Sequence, residues 1–254
     1  MIDIHTHVLP AIDDGAKNVA ESLLMLSSAI QDGIHTLVAT PHYHPKYRNE
    51  KEEIIARVEN LQQIARENQL KIDIFPGHEI RIYGDLLEDY EAGKLLTIAD
   101  NATYILIEFS SRQIPHYTQQ LIYDIEMSGL VPVLAHPERN LEFLKNPDKL
   151  YELVRRGALV QLTTGSILGY FGKDIQKFSR QLIAADLAHV IATDAHNDTN
   201  RAFNMSLAYE EIIKRYGINC ASYLTKNAQL LVEGNPVYAN SPERISKKKF
   251  FGIF

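Results

Sequence analysis

The residues of this 254-residue chain that could do chemistry are its ten histidines and a set of carboxylates, and many of them occur in short clusters. His5 and His7 stand two positions apart at the end of the apolar residues 2–4, and side chains two residues apart on a strand share one face. Imidazole is a common ligand of transition metals, and two carboxylates follow at Asp13 and Asp14. The pair is therefore typical of half of a metal site, although two histidines can also fall close together by chance.

Other residues of ligand type follow most of the predicted strands. Alternating or short solid apolar runs predict strands at residues 2–4, 36–40, 71–75, 104–108, 131–135, 159–162 and 189–193. Apolar residues at helical spacing predict helices within 19–30, 54–65, 121–125, 150–154, 175–182 and 201–232. Six of the seven strands end in such residues, namely His5 and His7, His42 and His44, His78 and Glu79, Glu108, His136 and Glu138, and Asp194 and His196.

The alternation of strands and helices predicts an α/β protein with parallel strands. An open doubly wound sheet and a closed barrel both fit this pattern, and no Gly-x-Gly-x-x-Gly or phosphate-binding loop follows any strand. We expect one domain over residues 1–234 and a basic, aromatic extension over residues 235–254. Active sites of α/β barrels form at the carboxyl ends of the strands, so the clustered residues are expected to meet there.

The expected site holds several metal ions. Its candidate ligands are His5, His7, Asp14, His42, Glu79, Glu108, His136, Asp194 and His196. Histidine and carboxylate without thiolate suit Mn, Zn or Fe(II). This set is too large for one ion and fits two or three ions about 3.5–4 Å apart, with Glu108 as a natural bridge between them.

The other histidines and acids near these segments have weaker interpretations. His44 and His78 are predicted either to orient ligands or to lie in surface loops. Structural or exposed positions are predicted for His35, His116 and His189. One of Asp13 and Asp14 is expected to be a turn residue, and Asp3, inside the first strand, is expected to take no part in catalysis.

Two arginines share loops with candidate ligands. Arg139 lies three residues after His136, and Arg201 lies five residues after His196. A guanidinium group binds a phosphate through two parallel hydrogen bonds, so the pair favours a phosphoester substrate over a peptide or neutral amide. The alternative is that each arginine forms a surface salt bridge.

Bulk properties exclude several classes of function. The net charge of −6 argues against broad nucleic-acid binding, and no run of about 18 apolar residues predicts a membrane span. No charged and then apolar leader is visible, and a single cysteine fits a reducing compartment, so we expect a cytoplasmic protein. Cys220 is followed six residues later by Lys226, so the Cys-x5-Arg pattern of cysteine phosphatases is missing.

These motifs resemble those of the polymerase-and-histidinol-phosphatase (PHP) superfamily. The segments MIDIHTHVLPAIDDGA (1–16), GHEIRI (77–82), YILIEF (104–109), VPVLAHPERN (131–140) and TDAHN (193–197) are similar to one branch of it. That branch is the manganese-dependent protein-tyrosine phosphatases of capsule and exopolysaccharide loci in Gram-positive bacteria, the CpsB/CapC type. The resemblance covers nearly the whole chain, and one departure is His78, where the branch leads us to expect glutamine.

The resemblance implies a distorted (β/α)7 TIM-like barrel, the PHP fold, with three metal ions. The nine candidate ligands fall on the ligand positions of the family, and Arg139 and Arg201 fall on its phosphate-binding arginines. The implied cofactor is Mn²⁺, with Co²⁺, Zn²⁺ or Fe²⁺ possible. The implied substrate is the phosphorylated C-terminal tail of a bacterial tyrosine kinase that controls polysaccharide synthesis.

The expected reaction is hydrolysis in one step, without a phospho-enzyme. A PHP-type phosphatase of a small phosphoester such as histidinol phosphate remains an alternative. A metal-dependent amidohydrolase is another, although Glu108 stands where such enzymes commonly carry a lysine. A non-catalytic metal-binding protein is a third. The extension carries Arg244, three lysines at 247–249 and three phenylalanines, which suits contact with an anionic membrane or simple packing on the barrel. The oligomeric state is left open.

Overall fold

The computed structural model describes residues 1–245 and contains parallel strands that alternate with helices. The strands are β1 (Ile2–Thr6), β2 (Thr36–Ala39), β3 (His42–His44), β4 (Tyr47–Arg48), β5 (Asp73–Pro76), β6 (Glu79–Arg81), β7 (Tyr104–Glu108), β8 (Val131–Ala135), β9 (Leu159–Thr163) and β10 (Val190–Ala192). The helices are α1 (Val19–Gln31), α2 (Lys51–Glu67), α3 (Leu86–Glu91), α4 (Thr118–Met127), α5 (Leu141–Lys145), α6 (Pro147–Arg156), α7 (Thr164–Leu168), α8 (Lys173–Ala184), α9 (Met205–Tyr216) and α10 (Ile218–Glu233).

The strands form two hydrogen-bonded groups. One has the order β1-β2-β5, and the other has the order β10-β9-β8-β7-β6-β3-β4. All pairings are parallel except that of β3 with β4, which is an antiparallel hairpin. A bridge between Thr6 and Ala195 and a hydrogen bond from the Asp194 amide to the His5 carbonyl (2.9 Å) connect the end of β1 to the residues after β10. The predicted α/β class with parallel strands is confirmed.

Two predicted strands are each followed, after a short break, by another strand of the second group. The predicted second strand ends before Pro41, as expected, and the chain then forms β3 from His42. Likewise β5 ends at Pro76, and the chain then forms β6 from Glu79. Pro41 has no amide proton for a strand ladder, and Gly77 lies so close to β2 that a Cβ there would be 2.9 Å from Val38 Cγ1.

The helix predicted over residues 201–232 is two helices. Gly217 separates α9 from α10 with φ +85°, a conformation that glycine adopts without the steric cost of a side chain. Other helices follow their predicted apolar faces closely. In α2, Ile54, Val58, Leu61 and Ala65 are all buried, as the spacing predicts.

Strands β7 and β9 are buried along their whole length on both faces, as the apolar runs predict for a parallel sheet. Ile4, Leu106 and Val133 belong to an inner cluster that includes Leu231 of α10. Ile105 and Leu134, which point the other way, belong to the larger core formed with the surrounding helices. Burying one such side chain contributes about 1.5–3 kcal/mol, so this two-sided core fixes where the strand ends lie.

The described part of the extension packs against the domain. The Tyr104 hydroxyl donates to the Asn235 carbonyl (2.6 Å), and the Arg244 guanidinium pairs with Asp148 (2.8 Å) and Glu152 (2.5 Å) of α6. Arg244 is therefore already paired, which counts against its predicted part in membrane contact. The lysines and phenylalanines of that prediction lie at 247–254, outside the described residues. Within residues 1–245, no helix combines the length and apolar character needed to cross a bilayer.

Candidate active site

The site lies at the carboxyl ends of the parallel strands, where polar side chains from several strands converge. His5 belongs to β1 and Glu108 ends β7. Glu79 lies in the break after the carboxyl end of β5, at the first residue of β6. His136 follows β8, and Asp194 follows β10. All nine predicted metal ligands come to this one face, and the geometry below describes how they are grouped.

Four ligand-type atoms enclose one position. They are Nε2 of His5, Nε2 of His7, Oε2 of Glu79 and Oδ1 of Asp194. Five of the six distances among them are 3.3–3.4 Å. A regular tetrahedron of that edge has a centre about 2.1 Å from each corner, which is the usual length of a metal bond to histidine nitrogen or carboxylate oxygen. These residues therefore fit a transition-metal ion.

Two further groups lie beside the first. Oδ1 of Asp14 lies 3.2 Å from His42 Nε2 and 3.4 Å from His196 Nε2, and His7 is close to both. His42, Glu79 and Glu108 form the last group, in which His42 Nδ1 is 2.8 Å from Glu79 Oε2. His136 Nε2 is 2.7 Å from Glu79 Oε1. Glu79 belongs to two of the three groups and Glu108 to one, so Glu79 is better placed than Glu108 to bridge ions.

Several atoms of these groups are buried without a hydrogen bond of normal geometry among residues 1–245. They are His42 Nδ1, Glu79 Oε2, Glu108 Oε2, Asp194 Oδ1 and His196 Nε2. Buried polar atoms in folded proteins are nearly always paired, because leaving one unpaired costs about 1–3 kcal/mol. Five such atoms facing common centres indicate that cations belong there.

The pKa shifts reflect the close packing of histidines, carboxylates and arginines. Burial disfavours protonation of His7, yet Asp13, Asp194 and Glu79 together raise its pKa well above the usual value. Against the effect of burial, Glu79 and Asp14 raise the pKa of His42 to about 10. Burial disfavours ionisation of Asp194, but Arg139 and His5 hold its pKa well below the ordinary range. Bound cations would supply the positive charge that protonated histidines otherwise provide.

Groups behind the histidines fix their orientation. The Nδ1 atom of His7 lies 2.7 Å from Oδ2 of Asp13, and the Nδ1 atom of His5 lies 3.0 Å from Oε1 of Gln161. Such partners select the ring tautomer that presents Nε2 to a metal. Of the two neighbouring aspartates, Asp14 thus faces the ligand groups while Asp13 supports His7. Sequence reasoning did not identify Gln161, which lies inside β9, the one predicted strand without a ligand-type ending.

Backbone geometry also marks the site. His136 and Asp194 adopt positive φ values of 33° and 55°, which non-glycine residues rarely do. A Cβ on Gly15 would lie 2.1 Å from the carbonyl oxygen of His7, so only glycine allows the loop after Asp14 to return to β1. Asp3 belongs to none of the ligand groups and accepts hydrogen bonds from the Thr193 amide (3.1 Å) and hydroxyl (2.5 Å).

Both predicted arginines bind the same carboxylate oxygen. Oδ2 of Asp194 accepts a hydrogen bond from Arg201 Nη2 (2.9 Å) and forms an ion pair with Arg139 Nη1 (2.7 Å), while Oδ1 faces His5 and His7. One carboxylate therefore joins the arginines to the ligand groups. Both ion pairs lie inside the site, at a carboxylate that is buried.

Arg81 is a further cation of the site, and it was not predicted. Its Nη2 lies 2.8 Å from Oε2 of Glu108. Its position could have been inferred, because Arg81 follows Glu79 by two residues on β6 and so shares its face. With Arg139, Arg201 and Lys46 it lines a cavity of about 360 Å³ over the ligand groups.

The remaining histidines lie outside the ligand groups. His44 lines the cavity but accepts a hydrogen bond from the Lys46 amide (3.1 Å). His78 is buried and accepts from the Leu96 amide (3.0 Å), so it belongs neither to the ligand groups nor to a surface loop. His35 and His116 are exposed and His189 is buried away from the site, which confirms their predicted roles.

Comparison with known proteins identifies the family. The sequence model described as "Capsular polysaccharide synthesis, CpsB/CapC" matches residues 1–233. Tyrosine-protein phosphatase YwqE of Bacillus subtilis (strain 168) is 41% identical over 255 residues, with 100% of both chains covered. The putative tyrosine-protein phosphatase CapC of Staphylococcus aureus is 38% identical over 256 residues, again with 100% of both covered.

A solved structure agrees with this result. It comes from a study of YwqE from Bacillus subtilis and CpsB from Streptococcus pneumoniae, described as unique metal-dependent tyrosine phosphatases. It superimposes with a TM-score of 0.94 at 41% identity and covers 97% of this chain and 100% of its own. The resemblance inferred from the motifs is confirmed: this chain belongs to the CpsB/CapC family.

Proposed function

We propose that this chain is a metal-dependent protein-tyrosine phosphatase that regulates capsular or exopolysaccharide synthesis. Its relatives carry the name of that activity, and its structure follows theirs over nearly the whole chain. The observation that carries the proposal is the divided carboxylate of Asp194. One oxygen faces two histidines of a metal-like group and the other holds two arginines, so cation and phosphate sites adjoin each other.

The proposed metal ligands are the nine residues at the strand ends. They are His5, His7, Asp14, His42, Glu79, Glu108, His136, Asp194 and His196. Their grouping supports three ion positions, and nitrogen and oxygen ligands without thiolate support Mn²⁺, with Co²⁺, Zn²⁺ or Fe²⁺ as alternatives. Such ions, when bound, supply Lewis-acid stabilisation of phosphoryl oxygens and make water acidic enough to act as a nucleophile at neutral pH.

The protein's own groups bind and orient the phosphoester. Arg139 and Arg201 donate hydrogen bonds to phosphoryl oxygens and compensate the charge that develops on them during hydrolysis. Asp194 holds both guanidinium groups in the cavity, and Asp13 and Gln161 hold the histidine rings of β1. Tyrosinate has a parent pKa of about 10 and leaves readily, so the reaction depends little on a strong general acid.

The partner, the location and the full architecture belong to the same proposal. The phosphorylated tail of a tyrosine kinase is the proposed substrate, and the cytoplasm is the proposed compartment. The hydrogen bond between the Asp194 amide and His5 supports closure of the strands into a (β/α)7 barrel over residues 1–234. Peripheral membrane contact remains a proposal for residues 247–254, which include three lysines and three phenylalanines.

The test is a phosphatase assay on metal-free protein to which Mn²⁺, Co²⁺, Zn²⁺ or Mg²⁺ is returned separately. Phosphotyrosyl peptide, phosphoseryl peptide and histidinol phosphate are compared at equal concentration. We expect activity only with transition metals and a clear preference for the phosphotyrosyl peptide. Faster hydrolysis of histidinol phosphate would replace the proposal with the small-phosphoester alternative. Activity without any metal would overturn it altogether.

A further inference from the structure

The loop between α7 and α8 lies beside Arg139 and presents two aromatic side chains. Gly169 and Gly172 have φ values of +90° and +95° and enclose Tyr170 and Phe171. Glycine is the residue that best tolerates such values, so the two glycines define a tight loop with the aromatic pair between them. Tyr170 is 59% exposed and Phe171 is 39% exposed.

Phe171 contacts Arg139 directly. The guanidinium carbon lies 4.2 Å from the centre of the Phe171 ring, which is the distance of a cation–π contact. The ring is also packed against the backbone of Gly165, because a Cβ added there would lie 2.9 Å from Phe171 Cε2. Phe171 is thus held between Gly165 and Arg139, and any larger residue at position 165 would displace it.

The guanidinium of Arg139 has few other restraints. Nη1 binds Asp194 at 2.7 Å, and Nε is buried without a hydrogen bond of normal geometry in residues 1–245. The ion pair at the edge of the guanidinium group leaves its plane free to rotate, whereas the second contact, with the Phe171 ring on its face, fixes that plane. Arg201 shares the Asp194 oxygen but makes no cation–π contact among the described residues. The two arginines are therefore held differently.

We propose that Phe171 is a positioning residue that fixes the guanidinium plane of Arg139 so that its free N–H groups face the incoming phosphoryl group. The inference rests on the proposed function, since it concerns the same phosphate site. It adds a residue that carries no polar group and that no metal-ligand pattern identifies. The aromatic face is the feature required, so another aromatic residue at this position keeps the effect and an aliphatic residue of similar size does not.

The test compares Phe171→Leu, Phe171→Tyr and, as a matched control on the same loop, Tyr170→Leu. We expect kcat/KM for p-nitrophenyl phosphate to fall about ten-fold in Phe171→Leu, which matches the strength of a partly buried cation–π contact. Phe171→Tyr and Tyr170→Leu are expected to stay within about three-fold of the parent protein. Metal content is expected to be the same in all of them.

A double variant separates positioning from a general structural effect. In an Arg139→Ala background, Phe171→Leu has no further effect if Phe171 acts through Arg139. An equal loss in both backgrounds would overturn the proposal, as would an equal loss in Phe171→Tyr and Phe171→Leu, or no loss in Phe171→Leu.

Binding of inorganic phosphate to the metal-loaded protein, measured by calorimetry, distinguishes this proposal from the proposed function. Weaker phosphate binding in Phe171→Leu than in Tyr170→Leu supports the positioning role even if phosphotyrosyl peptide proves not to be a substrate. Equal phosphate binding in the two variants contradicts it whatever the substrate is.

Discussion

His7 and His189 are equally buried, each with 1% of its surface exposed, yet they belong to regions with opposite electrostatics. His7 lies at the carboxyl end of β1, where surrounding carboxylates raise its pKa well above the usual value in spite of burial. His189 lies at the amino end of β10, where burial lowers its pKa to about 4. Burial alone therefore does not decide the state of a histidine; its nearest partners do.

The partners differ in kind. His189 Nδ1 accepts a hydrogen bond from the Val160 amide (3.1 Å), which requires an unprotonated nitrogen and joins two strands. His7 has a carboxylate at Nδ1 and two more near Nε2. At the amino end of β10 a neutral histidine thus stabilises the fold. At the carboxyl end of β1 several carboxylates surround a histidine, and cations can balance their negative charge.

Two arginines, Arg139 and Arg244, show a similar contrast between the active site and the rest of the molecule. Arg139 and Arg244 each contact a carboxylate and an aromatic ring, with cation–π distances of 4.2 Å and 4.3 Å. Arg139 lies in the cavity with 19% of its side chain exposed, whereas Arg244 lies on the outside with 53% exposed. The same kinds of contact therefore orient Arg139 toward the cavity, whereas at Arg244 they attach the C-terminal segment to α6.

The largest expected effect is the loss of activity when either cavity arginine, Arg139 or Arg201, is replaced. Arg139→Ala or Arg201→Ala should reduce kcat/KM for phosphotyrosyl peptide about 10²–10³-fold, as removal of one charge-stabilising donor does. Arg244→Ala, the control from the outer surface, should leave it unchanged. Metal content is measured in all three by elemental analysis. Loss of metal from the cavity variants would mean that the two arginines maintain the ligand groups and do not bind phosphate.

A smaller effect, on metal affinity, is expected when Asp13, which contacts Nδ1 of His7, is replaced. Asp13→Asn removes the charge that orients the ring, and loss of such a supporting group commonly weakens metal binding about 10–100-fold. Titration of the metal-free protein with Mn²⁺ measures the change. Asp148→Asn, which removes a carboxylate from the outer surface, is the control. Unchanged Mn²⁺ affinity in Asp13→Asn would show that His7 is not a ligand in that titration.

The smallest effect concerns stability at the amino end. The folded-state pKa of His189, about 4, lies below its unfolded value of 6.5, so the unfolded chain binds more protons between these values. His189 therefore contributes stability at neutral pH that is lost as the pH falls below about 6.5, reaching about 2 kcal/mol between pH 7 and 5.

His189→Asn keeps an acceptor for the Val160 amide but cannot be protonated. Urea unfolding at pH 7 and 5, at one metal concentration, should show a smaller loss of stability on acidification than in the parent protein. An identical loss in both proteins would contradict the assignment. Phosphatase activity at pH 7 should be unaffected, in contrast to the cavity variants.

The sequence predicts most of the site because strand geometry is local. The alternation of His5 and His7, and ligand types at the ends of six strands, required only period-2 patterning and parallel strands. The strands β3 and β6 that follow Pro41 and Gly77 were not predicted, because they depend on which segments pair: β3 pairs with β6 in the second group, whereas β2 pairs with β5 in the first.

Contacts between distant segments were also missed. Gln161 contacts His5 across 156 positions, and three helices and a strand separate Phe171 from Arg139 along the chain. Neither residue has a chemical signature of its own, since a glutamine within a strand and a phenylalanine between two glycines have many ordinary roles. Only the packing of the strands and helices brings them to the site.

The two oxygens of Asp194 have a thermodynamic consequence. A cation bound at Oδ1 would withdraw negative charge from Oδ2 and so weaken its ion pairs with Arg139 and Arg201. The N–H groups of both arginines would then be available to a phosphoryl group. Metal loading should then increase the affinity for a phosphoryl group. By reciprocity, a bound phosphoryl group must increase the affinity for the metal by the same factor. Substrate and cofactor would thus strengthen each other's binding through a single carboxylate.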